Sequence, residues 1–136
     1  MLIKEFISET NKNQMISTLL KYYKVGSVKL KYKSMKDYAH FDVDRGVLQL
    51  SSRYKKIRDG QVKEFLITII HEIRHAMDAK KYGWRKFKDM YELEMNYQIA
   101  MDKDEYKDNK YEIAAEKFGQ QNYSKWLQKF KKEGLI

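Results

Sequence analysis

Two histidines and a glutamate within residues 71–75 could bind a metal ion and use it for hydrolysis. The stretch is His-Glu-Ile-Arg-His, and it contains two of the chain's 3 histidines. Side chains four residues apart on an α-helix project from the same face, so His71 and His75 could ligate one ion. Glu72 is turned about 100° from His71, so its carboxylate lies beside the ion and could take a proton from water there. The pattern predicts one Zn²⁺ per chain and a hydrolase, with Glu72 as the catalytic base.

The segment that carries this motif is expected to be a buried central helix. Apolar residues between Val62 and Met77 cover more than one helical stripe. Two histidines and a glutamate are costly in such a helix unless they are paired or ligated. The alternative is a structural domain in which these side chains only form hydrogen bonds within the core.

A third protein ligand is expected, because a catalytic zinc ion usually has three protein ligands and one water. No histidine follows His75, so a downstream ligand must be a carboxylate. Four glutamates on predicted helices are candidates: Glu92, Glu94, Glu112 and Glu116.

The N-terminal part of the chain is predicted to form helix and then sheet. Apolar residues spaced by three and four between Ile3 and Tyr23 indicate one or two helices that stop near Gly26. The apolar period then changes to two, which is typical of strands. The predicted strands are 28–33, 39–43 and 48–50, with a hairpin turn at 44–46.

Helices are predicted for the rest of the chain. Asp59 is expected to cap the central helix over 61–81, and Gly83 to end it. Further helices are expected over 86–102, over 111–121 and after a cap at Ser124. The predicted fold class is α+β, with a small, partly antiparallel sheet of about three strands packed on the central helix. Residues 1–136 are expected to form a single domain.

Two segments resemble the glutamate-zincins, in particular the small ImmA/IrrE-like and phage-type domains. They are HEIRHAMD at 71–78 and YEIAAEKFG at 111–119, and the resemblance spans roughly residues 38–120. It implies a zincin-like metallopeptidase domain in which Glu112 is the third zinc ligand. It also implies that Ala115 lets two helices approach, and that Glu116 orients a ligand histidine where the family more often has Asp or Asn.

A second segment competes for the role of third ligand. Residues 91–96, YELEMN, resemble the same helix with methionine at the small-residue position. Glu92 and Glu94 therefore stay open as alternatives to Glu112. Glu112 is preferred because Ala114, Ala115 and Gly119 would permit close helix packing.

An oxyanion stabiliser is also expected near the metal. Tyrosine hydroxyls can donate a hydrogen bond to a developing oxyanion. Tyr111 and Tyr123 flank the predicted ligand helix, and His40 lies on a predicted strand near it. The resemblance further implies a protein or peptide substrate extended along a sheet edge.

Composition limits the remaining possibilities. The chain has no cysteine, which excludes thiolate metal sites and is compatible with a cytoplasmic protein. No apolar stretch is long enough to cross a membrane. The net charge of +9 is concentrated in residues 1–60, with 13 Lys and Arg against 6 Asp and Glu. This basic part makes a nucleic-acid-associated protein one alternative function, although no base-reading motif is present. A catalytically inactive zincin-fold regulator is the other alternative.

Overall fold

The computed structural model describes residues 6–42 and 44–136. These residues form four α-helices and one three-stranded mixed sheet, which confirms the predicted α+β class. The elements are α1 (Glu9–Tyr22), β1 (Lys29–Lys33), β2 (Ala39–Asp42), β3 (Val47–Ser51), α2 (Val62–Tyr82), α3 (Trp84–Ala100) and α4 (Lys110–Lys132). Short 3₁₀ turns at Ser52–Lys55 and Asp59–Gln61 connect β3 to α2.

The sheet has the strand order β1-β3-β2, so β2 is an edge strand. Strands β2 and β3 pair antiparallel, with Phe41 opposite Leu48, and this confirms the predicted hairpin. Strand β1 runs parallel to β3. The turn before β3 contains Gly46 at φ +63°, a backbone conformation that glycine adopts without steric cost. Ile3 and Val43, which belong to the predicted first helix and second strand, lie outside the described residues.

Helix α2 is buried on most sides, as its apolar pattern predicts. Phe65, Leu66, Ile69 and Ile70 are fully buried, so consecutive positions of the helix all face protein. α2 contacts α1, α3, α4 and β2. Among the described residues, no helix is long and apolar enough to cross a membrane.

Three predicted helix boundaries can be compared with the structure. Gly83 does end α2, and its φ of +91° turns the chain directly into α3. Asp59 does not cap α2, because it begins a separate 3₁₀ turn. Ser124 does not cap a last helix, because α4 runs unbroken from Lys110 to Lys132. The predicted break was wrong because no proline interrupts residues 120–124, so the backbone hydrogen bonds of the helix run on through Ser124.

Helix α4 packs closely on α2 at Gly119. A Cβ added there would lie 2.8 Å from the carbonyl oxygen of Ile67. We expect Gly119→Ala to lower the free energy of unfolding by roughly 1–3 kcal/mol through overpacking, in spite of the better helix propensity of alanine. Urea unfolding measures this, and Gly60→Ala is the control because its added Cβ meets no atom within 4 Å. Equal stability of both variants with the wild type would contradict the close packing.

Candidate metal centre

Three buried side chains from two helices converge on one point. Glu112 Oε1 lies 2.8 Å from His71 Nε2 and 2.7 Å from His75 Nε2. The potential ligand atoms of these residues all lie within 4.8 Å of one another. The three residues therefore form a group that could hold a metal ion.

The local structure explains why these three groups meet. His71 and His75 lie one turn apart on α2, with ring centroids 5.1 Å apart. Glu112 lies in the first turn of α4, where the positive end of the helix dipole favours a carboxylate. Asn109 fixes the start of that helix, because its side chain accepts a hydrogen bond from the backbone N–H of Tyr111 at 2.9 Å.

The hydrogen bonds around His71 require a positive charge at the centre. His71 Nδ1 is 3.0 Å from Glu116 Oε2, and an ionised carboxylate only accepts, so Nδ1 carries the proton. In a neutral imidazole Nε2 then has only a lone pair, which faces the lone pairs of Glu112 Oε1. That contact is favourable only with a proton or a metal cation between the two atoms. The arrangement suits a cation bound at Nε2.

Without a metal ion, the contacts between His71 and its neighbouring carboxylates also shift the pKa values of His71 and Glu112. Burial alone would lower the pKa of His71, but its hydrogen bonds to Glu112 and Glu116 and the charge of Glu72 raise it to about 9. Burial opposes ionisation of Glu112, yet hydrogen bonds from the two histidines hold its pKa well below the ordinary value. The group thus combines an ionised carboxylate with a His71 imidazole whose surroundings favour a positive charge.

Glu72 lies beside this group without joining it. The residue is 5% exposed, and its carboxylate makes no hydrogen bond within the described residues. Its oxygen is 4.0 Å from His71 Nε2. Burial raises the pKa of Glu72, against the opposing effect of the two histidines. A raised pKa makes the carboxylate a better proton acceptor, as a general base requires.

Two tyrosines near the centre are functional candidates that the sequence interpretation missed. The hydroxyl of Tyr91 on α3 donates a hydrogen bond to the second carboxylate oxygen of Glu112. Tyr106, in the connection between α3 and α4, lines both cavities that reach the group. The rings of Phe87 and Tyr91 both pack near His75. Their spacing of four residues could have indicated from the sequence that they share one face of α3.

The remaining carboxylate candidates have different positions. Glu116 contacts His71 from the side opposite Glu112, as the resemblance implies. Glu92 lines the cavity between β2 and α3 that reaches the centre, but it is not part of the buried group. Glu94 accepts hydrogen bonds from the backbone N–H of Lys110 and from the side chain of Gln98.

The three residues predicted as oxyanion stabilisers differ in their position relative to the centre. His40 lines the cavity in front of the centre. Tyr111 stacks on Tyr91 at 6.1 Å between ring centroids. Tyr123 lines neither cavity that reaches the centre, and its ring lies under Lys63.

Removal of the Glu116 carboxylate tests its contact with His71. We expect Glu116→Ala to weaken metal binding by about 10–100-fold, because the ligand imidazole loses the acceptor that fixes its orientation. Competition with a chromophoric chelator measures the dissociation constant. Glu105→Ala, at an exposed site that lines neither cavity at the centre, is the control. Equal metal affinity in the two variants would show that Glu116 has no orienting effect.

Comparison of the chain with protein-family models, with curated proteins and with solved structures gives no match. The functional argument therefore depends on the residues of the site themselves.

Proposed function

We propose that this protein is a zinc-dependent peptidase of the glutamate-zincin type. One observation carries the proposal. His71, His75 and Glu112 converge on one point, and beside it in an open cavity of about 410 Å³ lies the carboxylate of Glu72, which accepts no hydrogen bond from the described residues. Two imidazoles and one carboxylate are a typical ligand set for catalytic zinc.

The residues present fit a zinc ion in their chemistry. Nitrogen and oxygen ligands suit zinc, and three protein ligands leave a fourth position open towards the cavity. A zinc ion bound there would lower the pKa of a water molecule to about 7 and polarise the carbonyl of the scissile bond. Tyr91 and Glu116 hold Glu112 and His71 in place from outside the group.

The chain itself supplies the proton transfers. The Glu72 carboxylate is free to accept a proton from the attacking water and to pass it to the leaving amine. Partial burial and the nearby charges of Glu112 and Glu72 raise the pKa of Tyr106, so its phenol stays protonated. In this position Tyr106 can donate a hydrogen bond to the oxygen on which negative charge develops.

The edge strand β2 offers a place for an extended substrate. Residues 39–42 of this strand line the cavity, and β3 is the strand with which β2 pairs in the described chain. The unpaired edge of a sheet can bind a peptide as an additional strand through main-chain hydrogen bonds. A polypeptide bound in this way would run past Glu72.

Metal analysis combined with a hydrolysis assay tests the proposal. We expect the purified, dialysed chain to hold one zinc ion and to cleave a fluorescently labelled unfolded protein. A chelator should abolish cleavage and added zinc should restore it. Failure to bind zinc, even after it is added back, would overturn the proposal. Zinc binding without cleavage would leave a zincin-shaped binding protein instead.

A further inference from the structure

The cavity in front of the candidate centre is acidic, although the protein as a whole is basic. Apart from Glu72 and Glu112 at the centre, four carboxylates lie on its walls and one lysine opposes them, which leaves a net wall charge of −3. The carboxylates belong to Asp37, Asp42, Asp44 and Glu92, and the lysine is Lys88. The whole chain has a net charge of +9, so this sign is confined to the cleft.

The metal would not neutralise these wall charges. Glu72 and Glu112 also line the cavity, and a divalent ion at the centre balances the two. The second cavity that reaches the centre, about 490 Å³ in volume, instead has Lys107 and Lys117 on its walls against the single carboxylate of Glu116, apart from Glu112 at the centre. The net negative charge is therefore confined to one of the two cavities that reach the centre, the one lined by β2 and α3.

Two of the wall carboxylates are free to meet a ligand. Lys88 pairs with Asp44 at 2.9 Å, and Asp42 accepts a hydrogen bond from the backbone N–H of Arg45. Asp37 and Glu92 are exposed and form no ion pair with other described residues. They come from different walls, the segment before β2 and helix α3.

A buried acceptor at the back of the same cavity also indicates a ligand. Glu72 is 5% exposed, lines the cavity and has no hydrogen-bond partner among the residues of ranges 6–42 and 44–136. A buried carboxylate that accepts no hydrogen bond is costly, and a molecule that enters the cleft can supply the missing hydrogen-bond donor. The cleft is thus built to receive a molecule that brings hydrogen-bond donors and positive charge.

We infer that the cleft selects polypeptide segments with lysine or arginine close to the bond at the centre, an inference that rests on the proposed function. An extended peptide along β2 projects alternate side chains to opposite sides. A basic side chain near the centre would therefore meet Asp37 or Glu92 on one of the walls. Field lines from an acidic cleft with low-dielectric walls also attract cationic segments before contact.

Matched peptide pools test this inference on the full, zinc-loaded chain. The pools are quenched fluorescent peptides of random sequence that differ at their central positions, which are lysine, glutamine or glutamate. We expect the lysine pool to be cleaved about tenfold faster than the glutamine pool at low substrate concentration. The glutamate pool should be slowest, and high salt should reduce the difference.

A pair of double variants assigns the preference to the walls. Asp37→Asn with Glu92→Gln should abolish the preference for lysine. Asp102→Asn with Glu105→Gln removes the same two charges from exposed sites outside the cavity and should preserve it. Equal cleavage of all pools, or an unchanged preference in the first double variant, would overturn the inference and leave peptidase activity standing.

Binding measured without cleavage separates the two hypotheses. Fluorescence anisotropy with the Glu72→Gln variant reports affinity for each pool whether or not the wild type hydrolyses it. Tighter binding of the lysine pool that depends on Asp37 and Glu92 supports the inference, even where hydrolysis is absent. Equal binding of all pools contradicts it.

Discussion

Glu72→Gln is expected to keep one zinc ion per chain and to lower peptide hydrolysis by about 10²–10⁴-fold, the usual contribution of a positioned acid–base group. The change replaces a carboxylate with an amide of the same shape, which cannot take the proton from water. Metal binding should survive because Glu72 lies outside the group of three ligands, 4.0 Å from His71 Nε2. Elemental analysis and initial rates with the labelled unfolded protein measure the two effects.

Glu105→Gln is the matched control for this substitution, since it makes the same chemical change at an exposed position. It should leave both zinc content and rate unchanged. Cleavage by the Glu72 variant at the wild-type rate would show that another group is the base. Loss of zinc from this variant would place the carboxylate among the ligands instead.

The histidine pair and its helix could be predicted from the sequence because they depend on local geometry. His71 and His75 need only the spacing of one helical turn, and the all-round apolar pattern of α2 correctly indicated a buried central helix. The hairpin of β2 and β3 was equally accessible, because its alternation and turn residues are adjacent in the chain. Each of these features is encoded within about 20 residues.

The third member of the group could not be derived from spacing alone. Glu92 and Glu112 both lie on helices downstream of the motif, and helical periodicity does not determine how two helices dock. The structure brings Glu112 to the histidines because α4 packs closely on α2, where Gly119 leaves room beside Ile67. These tertiary contacts join residues 41 and 37 positions apart. The resemblance to a family and the small residues that follow Glu112 indicated them, whereas helical periodicity did not.

The tyrosines near the centre could not be identified from the sequence either. Tyr111 was singled out for its proximity in sequence to Glu112, yet it is Tyr91 on α3 that donates a hydrogen bond to this carboxylate. Tyr106 reaches both cavities because the connection between α3 and α4 passes over the centre. With 11 tyrosines in the chain, composition could not distinguish these from the others.

Glu112→Ala should remove stoichiometric zinc, whereas Glu92→Ala should retain it. Loss of a direct ligand is expected to cost more than the roughly 100-fold in affinity that an outer hydrogen-bond partner can contribute. Zinc at 100 times the wild-type dissociation constant stabilises the native state by about 2.7 kcal/mol, and a 100-fold weaker site would gain only about 0.4 kcal/mol. Elemental analysis after dialysis, and unfolding with and without added zinc, measure both consequences.

The comparison of these two glutamates decides which helix completes the centre. Both variants remove one carboxylate that lines the same cavity, so a general loss of negative charge would affect them alike. Only Glu112 has an oxygen within 2.8 Å of both His71 Nε2 and His75 Nε2. If Glu92→Ala loses zinc and Glu112→Ala keeps it, the third ligand is on α3. That outcome would require this helix to move towards the histidines when metal binds.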